Sequence, residues 1–226
     1  MDPSKKNVIV AFPGKEFSGT FLMQWSESLV KLTQLGYKIA LTNDYSAYLP
    51  FTRMMTLGLD TMRGNEQKPF DGKVEYDVWV TIDSDIIFKA KQLIELIEDT
   101  DKFPVISGVY RMANSKYIAA VKEWNLAHFI KNGVYEFIDP ETFDEDVKHH
   151  EVAYVGMGFM ACTREVLEKI EYPYFNYPTE ELQVDGKTIS QVFSEDVSFS
   201  KRVTDAGYKI VINTDLRLGH EKKLIM

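Results

Sequence analysis

The chain has 226 residues, of which 45% are hydrophobic, 27% charged and 13% aromatic. That composition supplies one sizeable core and excludes a disordered or low-complexity chain. The formal net charge of −8 argues against a general nucleic-acid or anionic-membrane binder, and it means that a phosphorylated ligand needs a local cation.

A lone cysteine, Cys162, excludes an intramolecular disulfide and a cysteine-rich zinc site. Within GFMACT it reads as a small buried residue. The start, MDPSKKNVIVAF, lacks the apolar core of a signal peptide, because its short apolar run meets Pro13-Gly14. No apolar stretch is long enough to span a bilayer. The expectation is a soluble, cytoplasmic protein.

In chain order, NVIVAF (7–12) predicts a buried strand followed by a loop. FLMQWSESLVKLTQLG (21–36) repeats apolar residues at helical spacing, with Gly36 as its stop. YKIALTND (37–44) predicts the second strand, and AYLPFTRMMTLGLDTM (47–62) a helix with Pro50 tolerated near its start. VWVTID (78–83), KQLIELIED (91–99) and PVISGVY (104–110) predict strand, helix and strand. Such alternation gives a parallel sheet covered on both faces, with ligands outside the carboxyl ends of its strands. The second half reads as α+β: short strand-like pieces, a helix at TREVLEKI, a loop at EYPYFNYPTEEL, a helix at EDVSFSKRVTDAG and a strand at YKIVIN. No linker separates the halves, and no internal repeat is present. The region 113–150 and 171–190 reads as loop-rich.

The chemistry concentrates at VTIDSDIIF (80–88), where an apolar strand ends on Asp83-Ser84-Asp85. A D-x-D on spacing alone is equally a polar turn that closes a strand. Its position at a sheet's carboxyl end favours a cation site instead, since two adjacent carboxylates repel unless a cation joins them. Hard oxygen ligands suit Mg²⁺ or Mn²⁺ bridging to a diphosphate. Further along, Ser194 is placed to cap a helix whose first turn carries Glu195 and Asp196. One such carboxylate at a loop–helix junction can also act as a general base. His220, in RLGHEKK, follows a strand-like segment that can return to the same sheet end.

Two rivals use the same residues. Gly156-Met157-Gly158-Phe159-Met160-Ala161 is formally a G-x-G-x-x-A after a strand, the fingerprint of a nicotinamide-dependent enzyme. The strand ending in an acid that should follow is replaced by YPYFNYPTEEL, which opposes it. An aspartyl-phosphate phosphohydrolase also uses D-x-D, but Ile86-Ile87 stands where its turn would continue.

The ordered set VWVTIDSDIIF, ISGVYR, VGMGFMACTREVLEKI, SEDVSFSKRVTDAGYKIVI and LGH resembles nucleotide-sugar-dependent glycosyltransferases of the GT-A fold, in their small bacterial and phage-type form. The resemblance covers nearly the whole chain. It implies one α/β domain over residues 1–226, a central mostly parallel Rossmann-like sheet flanked by helices, with a nucleotide-binding half (1–112) and a small mixed α+β acceptor and catalytic half (113–226). It implies that Asp83, Ser84 and Asp85 hold the ion, ribose and diphosphate, with Asp85 the direct ligand and His220 a further one. Arg53 matches the family's arginine on the helix after the second strand, whereas Met54 stands where the family has Asn. Phe12-Pro13 and Asn43-Asp44-Tyr45 would meet base and ribose. Gly156, Met157 and Gly158 would line the acceptor side, giving room for a sugar. The implied cofactor is Mn²⁺ or Mg²⁺, the donor a UDP-sugar and the acceptor a hydroxyl on a glycan, lipid, protein or small molecule. The implied reaction is inverting, with Asp196, or its neighbour Glu195, as base. The non-enzymatic alternative is a carbohydrate- or nucleotide-binding module on the same fold.

Overall fold

The sheet grows outward from the first apolar run. In a computed structural model, which describes residues 5–144 and 146–222, that run forms β1 (Asn7–Pro13), followed by α1 (Gly19–Gln34), β2 (Lys38–Asp44) and α2 (Leu49–Thr56). Then come β3 (Val78–Ile82), β4 (Ile86–Ile87), α3 (Ala90–Asp99) and β5 (Val105–Tyr110). The second half adds β6 (Ala120–Val121), α4 (Leu126–Asn132), β7 (His149–Val152), β8 (Tyr154–Val155), β9 (Phe159–Thr163) and α5 (Arg164–Lys169). It closes with β10 (Thr179–Val184), β11 (Lys187–Val192), α6 (Glu195–Asp205) and β12 (Ile210–His220).

The main sheet runs β2-β1-β3-β9-β5-β12-β4, with β7 also paired to β12. β2, β1 and β3 are mutually parallel, as are β5 and β12. β9 runs antiparallel between β3 and β5, and β4 and β7 run antiparallel to β12. This is a mixed α/β fold on a central, mostly parallel sheet flanked by helices. Because β9 comes from the second half and sits between strands of the first, one sheet joins both halves.

β1, β3, β5 and β9 are apolar on both faces because both of their faces are covered. Val8, Val10 and Phe12 point toward Phe21 and Trp25 of α1 and Leu93 of α3. Ile9, Ala11 and Trp79 point the other way, into a core with Met54 of α2 and Phe199 of α6. Cys162 lies in that second core, fully buried, and burial pushes its thiol up, away from the thiolate a nucleophile needs.

Four local expectations change. The helix expected over 47–62 stops at Thr56, because Gly58 adopts φ +61° against the Phe70 backbone, and a short 3-10 turn (Thr61–Arg63) follows. The segment 126–132, read as loop, is α4, capped by Asn125 and stopped by Gly133 at φ +70°. VYEFID (134–139), one of the strand-like pieces expected in the second half, contributes only an isolated bridge from Phe137 to Val121. The loop EYPYFNYPTEEL runs into a hairpin, β10–β11, turned by Asp185 and Gly186, both at positive φ. That is the geometry in which Asp-Gly joins two strands.

Tyr37 is 5% exposed, and burial, with Glu98 beside it, raises its phenol to about 12. The unfolded phenol ionises near pH 10, so this stability is complete below that pH and is lost as pH rises through 12. Thermal melts should therefore hold their Tm up to about pH 9 and fall at pH 11.

Candidate active site at the carboxyl end of the sheet

β3 ends at Ile82, and Asp83-Ser84-Asp85-Ile86 is a β-turn closed by Ile86 N–H donating to the Asp83 carbonyl at 3.1 Å. The turn and the chemical site are thus the same object. Asp83 N–H donates to the Gly158 carbonyl at 2.9 Å, which pins the turn to the start of β9. On its other side the turn meets Gly14, where an added Cβ would lie 2.9 Å from both Cβ and Oγ of Ser84. A Gly14→Ala substitution should displace the turn and lower stability by about 1–3 kcal/mol. Gly19→Ala, with nothing within 4 Å, should leave Tm unchanged in parallel melts.

Behind the turn lies a buried ion network. Arg53, on α2 and 2% exposed, grips Asp83 with both terminal nitrogens, Nη1 to Oδ1 at 3.2 Å and Nη2 to Oδ2 at 3.3 Å. Its Nε donates to Glu195 Oε1 at 3.1 Å. Burial raises the Asp83 and Glu195 carboxyls from their ordinary range, and the guanidinium between them opposes that rise. Burial acts to lower Arg53, but Asp83 and Glu195 outweigh it and hold the guanidinium above its usual value. Glu195 is 4% exposed and committed to Arg53, so its place is behind the site, orienting the arginine. The expectation of Glu195 as a base is corrected accordingly.

Asp196, one residue on, points elsewhere. Tyr154 Oη donates to its Oδ2 at 2.8 Å, while Val197 N–H donates to Oδ1 at 2.9 Å and Ser194 Oγ also donates to Oδ1. Ser194 stands at the N-cap, but its hydroxyl serves Asp196 rather than a backbone N–H. A carboxylate offers about four acceptor positions, so Asp196 is oriented by three donors and keeps one lone pair for a proton.

β12 brings in the histidine. Its pairing with β4 sets His220 opposite Ile86, and Glu221 N–H donates to the Asp85 carbonyl at 2.7 Å. His220 Nδ1 faces the Arg111 carbonyl at 2.9 Å, which can only accept, so that nitrogen carries the hydrogen. Nε2 lies 3.1 Å from Asp85 Oδ2, and the Lys222 ammonium, which can only donate, makes it an acceptor. The Lys222 ammonium sits against both, 2.9 Å from Oδ2 and 2.5 Å from Nε2. An oxygen and a nitrogen acceptor converging on one cation is a donor set that fits a small divalent ion, completed by substrate phosphates and water. Among the described residues no three His, Cys, Asp or Glu side chains converge, because the Asp83 carboxylate is held by Arg53. The expected trio of Asp83, Asp85 and His220 is thus a pair, with Asp83 beside it.

The remaining expected residues divide. Tyr45 is exposed at the end of β2, with Lys15 Nζ 5.8 Å from its ring centre. Asn43 spends its amide on the Phe12 and Gly14 carbonyls, at 2.7 and 2.9 Å, and so fixes the end of β1. The Phe12 ring turns into a cluster with Phe21 and Trp25, and Pro13 is buried, so these two have only backbone to offer a ligand. Met157 is buried. The space left by Gly156 and Gly158 is filled by Tyr110: a Cβ on Gly158 would lie 2.8 Å from its Cζ, and Gly158 N–H donates to its hydroxyl at 3.2 Å. The room expected for a sugar is taken by that phenol, whose ring also packs edge-on against His220. Tyr110, Tyr154 and Lys222 escape sequence reasoning, because nothing in their spacing marks them.

No family model matches the chain, and no curated protein matches it in sequence. Solved structures do. The chain is similar to A197 from STIV, with a TM-score of 0.54 and 17% identity over 96% of this chain and 86% of that one. It is also similar to GalNAc-T7, whose structure holds UDP, GalNAc and Mn²⁺, with a TM-score of 0.52 and 11% identity over 99% of this chain. The fold is of the GT-A type. The chain spans 45% of the GalNAc-T7 chain. Within this GT-A fold, the Asp83–Asp85 turn, Arg53, Asp196 and His220 all gather at the sheet end where open α/β sheets bind ligands. No helix among the described residues is long and apolar enough to cross a membrane.

Proposed function

We propose that the chain is a metal-dependent glycosyltransferase that moves a sugar from a nucleoside-diphosphate donor, a UDP-sugar, to a hydroxyl acceptor with inversion. The observation that carries this reading is the pairing of Asp85 with the His220 Nε2 lone pair, 3.1 Å apart and sharing one cation, at the end of the central strand. Asp85 and His220 would hold Mn²⁺ or Mg²⁺, which when bound supplies the positive charge that a departing diphosphate requires. Asp83, fixed by Arg53, presents its carboxylate edge toward the ribose and diphosphate. Glu195 keeps Arg53 in register. Asp196 removes the acceptor's hydroxyl proton as the nucleophile attacks the anomeric carbon, while Tyr154 and Ser194 hold its orientation. The exposed ring of Tyr45, with Asn43 shaping the end of β1, supplies a surface for the base.

Thermal shift against a panel of nucleotide sugars tests both donor class and ion dependence. A UDP-sugar should raise Tm with Mn²⁺ present, by about 2.7 kcal/mol of stabilisation at one hundred times Kd, and much less in EDTA. Asp85→Ala should remove the Mn²⁺-dependent part. An equal shift in EDTA, or a full shift in Asp85→Ala, sinks the metal role.

A further inference from the structure

A cavity of about 350 Å³ opens beside His220 and Lys222, between the ends of β5 and β12. Among the described residues its charged lining side chains are Arg111, Arg217 and Lys222, with no Asp or Glu. In a chain of net charge −8 that is a local reversal of sign. A larger cavity of about 1270 Å³, sharing Met112 and Phe143 with it, is lined by five carboxylates against one lysine. The smaller cavity also has an apolar wall, formed by Val109, Ile118, Pro140 and Phe143.

The three cations differ in what already holds them. Arg111 is tied to the Ser115 and Lys116 carbonyls, at 2.8 and 3.2 Å, and to Glu141 at 2.6 Å, so it builds the loop over the cavity. Lys222 rests on Asp85 and His220. Arg217 donates only through Nε, to the Thr214 carbonyl at 3.2 Å. Among the described residues its two terminal nitrogens have no partner and no carboxylate pairs with it. A guanidinium fixed at Nε and open at its outer edge matches the two oxygens of a phosphate or carboxylate.

We propose that this cavity binds an oxyanion carried by the acceptor, with Arg217 as its anchor and the apolar wall against the acceptor's body. The oxyanion site stands on the cavity alone, and its assignment to the acceptor rests on the glycosyltransferase reading. An acceptor held here lies against Tyr110 and Lys222, beside the Asp85–His220 pair.

Calorimetric titration of the full chain in EDTA tests it, with phenyl phosphate and inorganic phosphate as probes. Phenyl phosphate should bind saturably and more tightly than inorganic phosphate. Arg217→Gln should weaken it by about 10-fold or more, the effect of losing a charged hydrogen bond. Lys209→Gln, which removes an exposed cation paired with Glu151, should leave it unchanged. Phenyl phosphate should still bind when UDP and Mn²⁺ saturate the protein. No saturable binding, or an undiminished Arg217→Gln variant that melts like wild type, overturns the site. Equal affinity for inorganic phosphate overturns the acceptor assignment in favour of a free-ion site. Displacement by UDP with Mn²⁺ overturns it in favour of the donor's own diphosphate. Phosphate binding without any UDP binding leaves the anion site but overturns both the acceptor assignment and the glycosyltransferase reading, whereas UDP binding without phosphate binding overturns the site alone.

Discussion

Arg53→Met should destabilise the protein by about 3–5 kcal/mol, the usual cost of leaving buried charges without their partner. For a chain of this size that lowers Tm by about 10 °C. The guanidinium lies between Asp83 and Glu195, and the side chain of Glu195 is only 6% exposed. Without it, two carboxylates face each other across a buried gap. Burial already raises the Glu195 carboxyl, and in the variant only a backbone hydrogen bond still opposes that rise. A folded-state pKa above the unfolded one favours the folded state at low pH and ceases to do so as pH climbs through it. The deficit should therefore be smaller at pH 5 than at pH 8, measured by urea denaturation at both. Arg53→Lys should recover part of the stability, since it restores a charge but not the two-pronged contact with Asp83. A deficit below about 1 kcal/mol, the range of exposed pairs, contradicts the network described here.

The second large effect concerns catalysis. Asp196→Asn should lower kcat by about 10²–10⁴, the range that a positioned general base contributes, with UDP affinity and Tm near wild type. The substitution preserves shape and can still accept from Val197 N–H, so folding should survive. Glu195→Gln should behave differently: its charge serves Arg53, so stability falls along with activity. If both variants instead keep turnover while nucleotide binding persists, the base lies elsewhere. If wild type binds UDP-sugars but releases no UDP with any acceptor, the chain is a binding module on this fold.

How far these roles were legible in the sequence depends on how local their signals are. The alternation of apolar strands and amphipathic helices through β5 was readable, because each period reflects a burial pattern fixed by the element itself. β9 was readable as a strand but not as an antiparallel insertion between β3 and β5, since pairing partners leave no mark in a fully apolar run. The D-x-D at the end of β3 stood out by its chemistry. Arg53's grip on Asp83 comes from residues 30 apart and its bond to Glu195 from residues 142 apart, so the resemblance supplied the arginine and only the fold supplied its partners. Glu195 and Asp196 could not be told apart in sequence, because adjacent residues on a helix diverge by about 100° and only packing decides which is buried. The glycines at 156 and 158 read as room for a sugar, but the group that fills that room is Tyr110. The β10–β11 hairpin carried its own signal in Asp185-Gly186, hidden among the prolines and tyrosines that precede it.

The central claim is best tested by turnover: release of UDP from UDP-sugars with Mn²⁺, with EDTA, and with the Asp85→Ala variant in Mn²⁺. The account predicts UDP release that depends on Mn²⁺, stops in EDTA and is lost in Asp85→Ala while the variant still melts cooperatively. Release of UDP at the wild-type rate in EDTA or in Asp85→Ala would contradict it.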